Sequence, residues 1–254
     1  MIKREIHIFL TAILFFTRIP CPKWVNHEAS ILSKSAKYFS LVGIVVGGIG
    51  ALIYWLSSFI LPNEVAILLS IVSTVYCTGA FHEDGFADVC DGFGGGWTKE
   101  KILTIMKDSR LGTYGVIGLI LILGIKFYTL KSIPNNLIPL VIIAGHSTSR
   151  FIATLLLYTH PYVSDTDASK SKPAATNITF NMLVVSGIIA SIPLLFFFRW
   201  EPFILFVPMY LAKVYLGNKF KTWIGGQTGD CAGAVQQVTE VIFYISFIIL
   251  WKFI

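Results

Sequence analysis

Apolar stretches close to the length of a membrane-spanning helix recur along the chain, at residues 39–61, 65–81, 112–130, 137–157, 182–198, 203–216 and 235–252. A helix that crosses a bilayer needs about 20 mostly apolar residues, so this spacing predicts about seven transmembrane helices. The run from Ile6 to Phe16 is shorter and is stopped by Arg18 and Pro20, which predicts an N-terminal interfacial or re-entrant helix on the same side as the N-terminus. The 203–216 stretch is short and carries Pro208 and Lys213. Dropping it, or counting the first segment as a span, changes the side of everything beyond. The fold class predicted is all-α, a polytopic integral membrane helical bundle, with residues 1–254 forming a single integral domain.

Composition agrees with the pattern. Of 254 residues, 55% are apolar and 13% charged, and the mean hydropathy is +0.72, which is far from a soluble globular chain. Cys21, Cys77, Cys90 and Cys231 are scattered without a CxxC pair, so neither a disulfide framework nor a zinc site is suggested. Lys3 and Arg4 precede an apolar stretch, but FLTAILFFTRIPCP runs into Arg and Pro rather than a small-residue cleavage site, so this segment is expected to remain in the mature protein.

Charge orients the spans. With the N-terminus inside, the inner loops hold fourteen Lys and Arg (Lys3, Arg4, Arg18, Lys23, Lys34, Lys37, Lys99, Lys101, Lys107, Arg110, Lys170, Lys172, Lys219 and Lys221), against three outside (Lys131, Arg199 and Lys252). The net charge of +6 thus reads as membrane orientation, and no nucleic-acid motif accompanies it. This topology puts the 82–110 loop, a polar loop at 158–181 with Asp165, Asp167, Lys170 and Lys172, and GGQTGD on one cytoplasmic face of a multi-pass cell (inner) membrane protein.

Residues 82–110, HEDGFADVCDGFGGGWTKEKILTIMKDSR, carry six of the fourteen carboxylates. Ionisable groups beside a bilayer persist mostly where they bind ions, substrates or each other, so the cluster is a candidate active site. Asp84, Asp88 and Asp91 stand at i, i+4 and i+7, one face of a helix. Oxygen ligands alone favour Mg²⁺ or Mn²⁺ over zinc, with Glu83 completing the shell and His82 as a supporting partner or proton acceptor. A solvated acidic face, and a satisfied boundary histidine, are the bland alternatives.

GFGGG follows, with Gly92, Gly94, Gly95 and Gly96 too flexible to continue a helix but able to bring backbone amides close to a phosphate. Thr98 is the expected N-cap of a helix from Lys99 to about Arg110. Asp108 in its last turn would oppose the helix dipole, so a cation or basic neighbour explains it better, while Lys107 and Arg110 suit phosphate oxygens. Divalent metal, phosphate and a membrane face together suggest phosphoryl transfer.

HEDGFADVCDGFGGG followed by IMKDSRLGTYG resembles the cobalamin synthase family, the adenosylcobinamide-GDP ribazoletransferases. FLTAILFFTRIPCP resembles the family's opening segment, and GGQTGDCAGAVQQVTE, residues 225–240, its C-terminal signature. The resemblance implies a Mg²⁺-dependent enzyme in which a ribose hydroxyl of α-ribazole, or its 5′-phosphate, attacks the cobinamide-side phosphorus of adenosylcobinamide-GDP. GMP is displaced, and adenosylcobalamin or its 5′-phosphate is formed late in vitamin B12 synthesis. Carried over by position, the acidic motif falls on Glu83, Asp84, Asp88 and Asp91, KDSR on Lys107, Asp108, Ser109 and Arg110, and TGD on Thr228, Gly229 and Asp230. The expected metal ligands are Glu83, Asp84, Asp88 and Asp91. Asp108 is a further ligand or the base, and Lys107 and Arg110 stabilise the leaving GMP. His82, Gly94, Gly95, Ser109, Arg150 and Asp230 are expected to bind substrate.

Other residues leave alternatives open. His146 and Arg150 share a helix face and would point into the cavity, unless Arg150 snorkels to lipid. Glu240 would pair with Lys213 or Arg150. Expected partners are the two substrates and membrane lipid, with a homodimer and other corrinoid-pathway enzymes on general grounds. Two rival functions are weighed. A CDP-alcohol phosphotransferase shares the DxxDG opening at Asp88, Asp91 and Gly92, but Gly95 and Gly96 stand where its AR pair should be. A cation transporter would carry carboxylates deep in several spans rather than in one loop.

Overall fold

The computed structural model describes residues 2–25, 28–163 and 178–253, and every element it defines there is helical apart from one isolated bridge between Tyr162 and Gln227. Asp165, Asp167, Lys170 and Lys172 of the polar loop lie outside the described residues. In chain order the helices are α1 (Ile2–Phe16), α2 (Ala29–Ser35), α3 (Phe39–Ser57), α4 (Asn63–Thr78), α5 (Phe81–Gly95), α6 (Lys99–Met106), α7 (Thr113–Lys131), α8 (Ile138–Thr159), α9 (Phe180–Leu195), α10 (Phe206–Ile224) and α11 (Gly229–Trp251). Short 3₁₀ turns, Ala36–Tyr38 and Glu201–Leu205, lead into α3 and α10.

Each predicted span coincides with a helix, but the lengths differ from the even series of seven. Among the described residues, four helical runs are long and apolar enough to cross a membrane by themselves, Ser30–Ser57, Thr113–Lys131, Ile138–Thr159 and Gly229–Trp251, and α4 with α5 forms a fifth candidate only as a pair bent by 88°. Helix α9 is apolar but has 16 residues and contains Pro193. Helix α1 has 15 residues, about 22 Å of helix, short of the roughly 30 Å hydrocarbon core.

The bundle is built around α8, which packs against α3, α9, α10 and α11. Small residues bring the backbones together: a β-carbon on Gly43 would lie 2.4 Å from the His146 carbonyl oxygen, and one on Gly47 2.8 Å from Ile143 Cα. Connections collect at two ends. At one, Tyr54 Oη donates to Asn63, and Lys131 pairs with Glu64. At the other lie α5, α6 and the first turns of α7 and α11.

The corner that swings α5 across the bundle has a local cause. Gly79 and Ala80 both adopt left-handed backbone, with φ of 66° and 59°, which ends α4 and restarts the helix nearly at a right angle. Arg18 fastens the corner: its amide donates to the Cys77 carbonyl, and its guanidinium occupies the space a side chain at residue 79 would need. The bend turns α5 away from the line of α4 and lays it against α11, α7 and α6.

Candidate active site

Helix α5 crosses the start of α11 at van der Waals distance because both faces lack side chains. A β-carbon on Gly85 would sit 2.9 Å from Asp230 Cα, and one on Gly233 3.3 Å from the His82 carbonyl. Thr228 caps α11 by accepting from Cys231 N, so Asp230 stands in the first turn of that helix. The crossing thereby brings Asp230 beside Asp84 and Asp88, which are 146 and 142 residues away in sequence. Asp84 is exposed and the other two are half-buried. Burial first, then the charges of Asp230, Asp84 and Asp91, push the Asp88 carboxyl up to about 7. A face that crowds negative charge in this way favours a cation.

The other two expected metal ligands have different partners. Asp91 Oδ2 accepts from Gly112 N at 2.7 Å and Oδ1 from Gly115 N at 2.9 Å, so its carboxylate caps α7. Glu83 is buried and accepts from Gln237 Nε2 at 2.9 Å, with its second oxygen enclosed and without a hydrogen bond. Among the described residues no three His, Cys, Asp or Glu close around a point as a ready-made metal site. Mg²⁺ is commonly held by one or two carboxylates together with substrate phosphates and waters, and the oxygen donors of Asp84, Asp88 and Asp230 fit that mode.

Two sequence expectations for the 92–110 segment are corrected. The glycine run does not break the helix, since α5 continues through Gly95. Packing offsets the poor helix propensity: β-carbons on Gly92 and Gly94 would each lie 2.5 Å from a neighbour, Met106 Cγ and the Tyr114 ring. The Gly94 and Gly95 amides lie inside the helix, where such groups hydrogen-bond internally, so they form no phosphate loop. Helix α6 is capped by Thr98 as expected but stops at Met106, which places Asp108 beyond its end and removes the conflict with the helix dipole. Asp108 instead accepts from the amide, Nε and Nη2 of Arg110, at 2.6 to 3.1 Å, and these bonds hold its carboxyl down at about 2. Lys107, Ser109 and Arg110 are exposed in this turn, two residues before the Gly112 amide that Asp91 holds.

Below the acidic face, the bundle contains a polar network that motif reading does not assemble. Glu240 pairs with Lys126 Nζ at 3.0 Å and His146 Nδ1 at 3.5 Å, and accepts from Gln236 and Tyr244. Gln237 accepts from Lys126 and donates to Glu83 and to Gln236, which also donates to Ser149. Arg150 is 1% exposed, bonded to the Nδ1 and carbonyl of His146 and set over the Phe39 ring. It neither snorkels to lipid nor stands on the acidic face. Lys213, the other expected partner of Glu240, donates to Thr159 instead. The sequence signal was present in Lys126, the paired glutamines of GAVQQVTE and Glu240, polar groups inside apolar spans whose partners lie on other helices.

His82 is 2% exposed, stacks on Phe39 at 5.5 Å between ring centroids, and has no hydrogen bond at Nε2. It therefore stands beside the acidic face rather than on it.

A profile of the cobalamin-5-phosphate synthase family matches residues 8–248. A Shewanella frigidimarina protein named adenosylcobinamide-GDP ribazoletransferase is 46% identical over 249 residues, covering 95% of this chain and 94% of the relative. Proteins of the same name from Shewanella pealeana and Shewanella piezotolerans are 41% and 40% identical, each alignment covering 98% of this chain and 97% of the relative. No solved structure matches the chain. An all-helical membrane protein matched over nearly its whole length in this way belongs to the cobalamin-5-phosphate synthase family of enzymes.

Proposed function

We propose that this enzyme joins adenosylcobinamide-GDP to α-ribazole or its 5′-phosphate at the acidic face, releasing GMP, with Mg²⁺ required. The observation that carries the site is the convergence of Asp84 and Asp88 with Asp230 across the α5–α11 crossing, where Asp88 is pushed up to about 7. The names of the relatives support the reaction.

In this reading Asp84, Asp88 and Asp230 would hold Mg²⁺, which would supply charge neutralisation for phosphoryl transfer. The acceptor's ribose oxygen forms a bond to the cobinamide-side phosphorus, and the bond from that phosphorus to the bridging oxygen of GMP breaks. The hydroxyl proton passes to a carboxylate of the same face, because Asp108 is committed to Arg110 and is a poor acceptor. Lys107 and Arg110, exposed at the adjacent turn, offset charge on the departing GMP. Asp91 and Glu83 act by holding α7 and α5 rather than by touching the metal. The excess of Lys and Arg in the loops at this end supports a cytoplasmic site in the cell membrane.

The test is GMP release by detergent-solubilised or liposome-embedded protein given adenosylcobinamide-GDP, α-ribazole and Mg²⁺. A parallel reaction contains CDP-diacylglycerol and an alcohol. Metal-dependent GMP release is expected. CMP release, or silence in both, would overturn the proposal.

A further inference from the structure

Asp230 reaches the acidic face at the end of a short connection from α10, and that connection is stitched to the segment leaving α8. Helix α10 ends at Gly225, whose left-handed backbone, with φ of 87°, turns the chain as its amide donates to the Lys221 carbonyl. Gly226 and Gln227 alone separate that turn from the cap of α11 at Thr228. Gln227 forms the parallel bridge with Tyr162: its amide donates to the Pro161 carbonyl at 2.9 Å, and its carbonyl accepts from Val163 N at 2.8 Å. The two strands close because residue 226 has no side chain. A β-carbon there would lie 2.2 Å from the Pro161 carbonyl oxygen and 2.7 Å from Val163 Cγ2.

The segment that supplies this bridge is itself tied down. Thr159, the last residue of α8, accepts from Lys213 of α10. His160 fills the space beside Gly217 of the same helix, where a β-carbon would lie 2.7 Å from its Nε2. On the other side of the bridge little slack remains. Gln227 is buried, and Thr228 Oγ1 accepts from Cys231 N and donates to Asp230 Oδ2 at 3.4 Å. The position of Gln227 is thus carried through a capped turn to Asp230, three residues on.

The α5–α11 contact leaves a need for such a fixture. Gly85 and Gly233 form its two sides, which sets the distance between the helices but offers no side chain at those points to stop one sliding along the other. Mg²⁺ tolerates little departure from its preferred octahedral arrangement of oxygens. A shift of about 1 Å in one ligand is therefore enough to weaken a shared site. We infer that the 161–163 segment, bridged to Gln227 through the space left open at Gly226, is a positioning brace that sets where Asp230 stands against Asp84 and Asp88. This rests on the proposed placement of Mg²⁺ at those carboxylates and assigns Pro161, Val163, Gly226 and Gln227 as positioning residues for it.

The test measures Mn²⁺ binding to detergent-solubilised protein with adenosylcobinamide-GDP and no acceptor, from the loss of the free-ion EPR signal, so that no turnover is needed. Val163→Pro deletes the amide that donates to Gln227, and Gly226→Ala puts a methyl group against the Pro161 carbonyl. Each is expected to raise the Mn²⁺ dissociation constant about fivefold or more, whereas Val163→Ala, which keeps the amide, stays within about twofold of wild type. Asp230→Asn also weakens binding. Adding either brace variant to Asp230→Asn changes the constant by less than about twofold, because both act through the same ligand. Wild-type affinity in Val163→Pro, equal weakening by Val163→Ala, or the same added loss with and without Asp230→Asn would overturn the inference while leaving the metal at Asp230. Wild-type affinity in Asp230→Asn itself would instead sink the placement of the metal, and the brace with it.

Discussion

Helices α5 and α11 each carry carboxylates of two kinds, and the contrast separates what holds the bundle from what the bundle offers to a substrate. In the interior, Glu83 and Glu240 share a network with Lys126, His146, Arg150 and two glutamines, so two acidic side chains sit among basic ones. At the face, Asp84, Asp88 and Asp230 have one another as charged neighbours, and burial together with those charges pushes Asp88 up to about 7. Buried charge survives by being paired. Charge left crowded at the surface marks the place where a cation is expected from outside. Neighbouring residues in the sequence, Glu83 and Asp84, therefore belong to opposite sides of this division.

The division can be broken most severely at the face. Asp84→Asn and Asp88→Asn are each expected to slow GMP release by about 1,000-fold or more, roughly 4 kcal/mol of transition-state stabilisation, with the thermal unfolding midpoint in detergent unchanged or raised. The interior behaves the other way. Lys126→Met or Glu240→Gln alone leaves an unbalanced buried charge and lowers stability by about 3–5 kcal/mol, whereas Lys126→Met with Glu240→Gln recovers most of that loss in a double-mutant cycle. Asp91 is an intermediate case, on the acidic helix but spent on α7. Asp91→Asn keeps one acceptor for two amides and costs about 1–3 kcal/mol of stability by thermal unfolding, with a smaller loss of activity than at Asp84.

The smallest expected effect is a pH slope. Asp88 ionises near 7 in the folded protein and near 3.8 in the ordinary state, so between those values the folded form holds a proton that the unfolded form has released. Stability of the metal-free protein therefore falls as pH rises from about 4 to 7, and Asp88→Asn flattens that slope. Protons and Mg²⁺ compete for the same oxygens, so the Mg²⁺ needed for half-maximal GMP release increases as pH drops below 7.

Much of this was legible in the sequence. Apolar length and period located the helices, because burial of apolar residues in a bilayer leaves a pattern that single positions cannot hide. The acidic stripe was equally open to reading, and so was the placement of TGD on the same end. The division within the stripe was not, since i, i+4 and i+7 place Asp84, Asp88 and Asp91 on one face without saying that α7 begins beside Asp91. The glycine run misled for a related reason: in isolation Gly92, Gly94 and Gly95 weaken a helix, but Met106 and Tyr114 fill the space they leave. The Lys126–Glu240 pair joins helices 114 residues apart in sequence, and only packing reveals it.

A Mg²⁺ titration of GMP release, run side by side on wild type, Asp88→Glu and Glu83→Gln, tests the central claim most directly. Asp88→Glu keeps the charge but moves the oxygens, and is expected to raise the half-saturating Mg²⁺ concentration at least tenfold. Glu83→Gln is expected to leave that concentration unchanged while lowering the unfolding midpoint. The same Mg²⁺ requirement in wild type and Asp88→Glu, with a raised one in Glu83→Gln, would contradict the account and return the metal to the network side of α5.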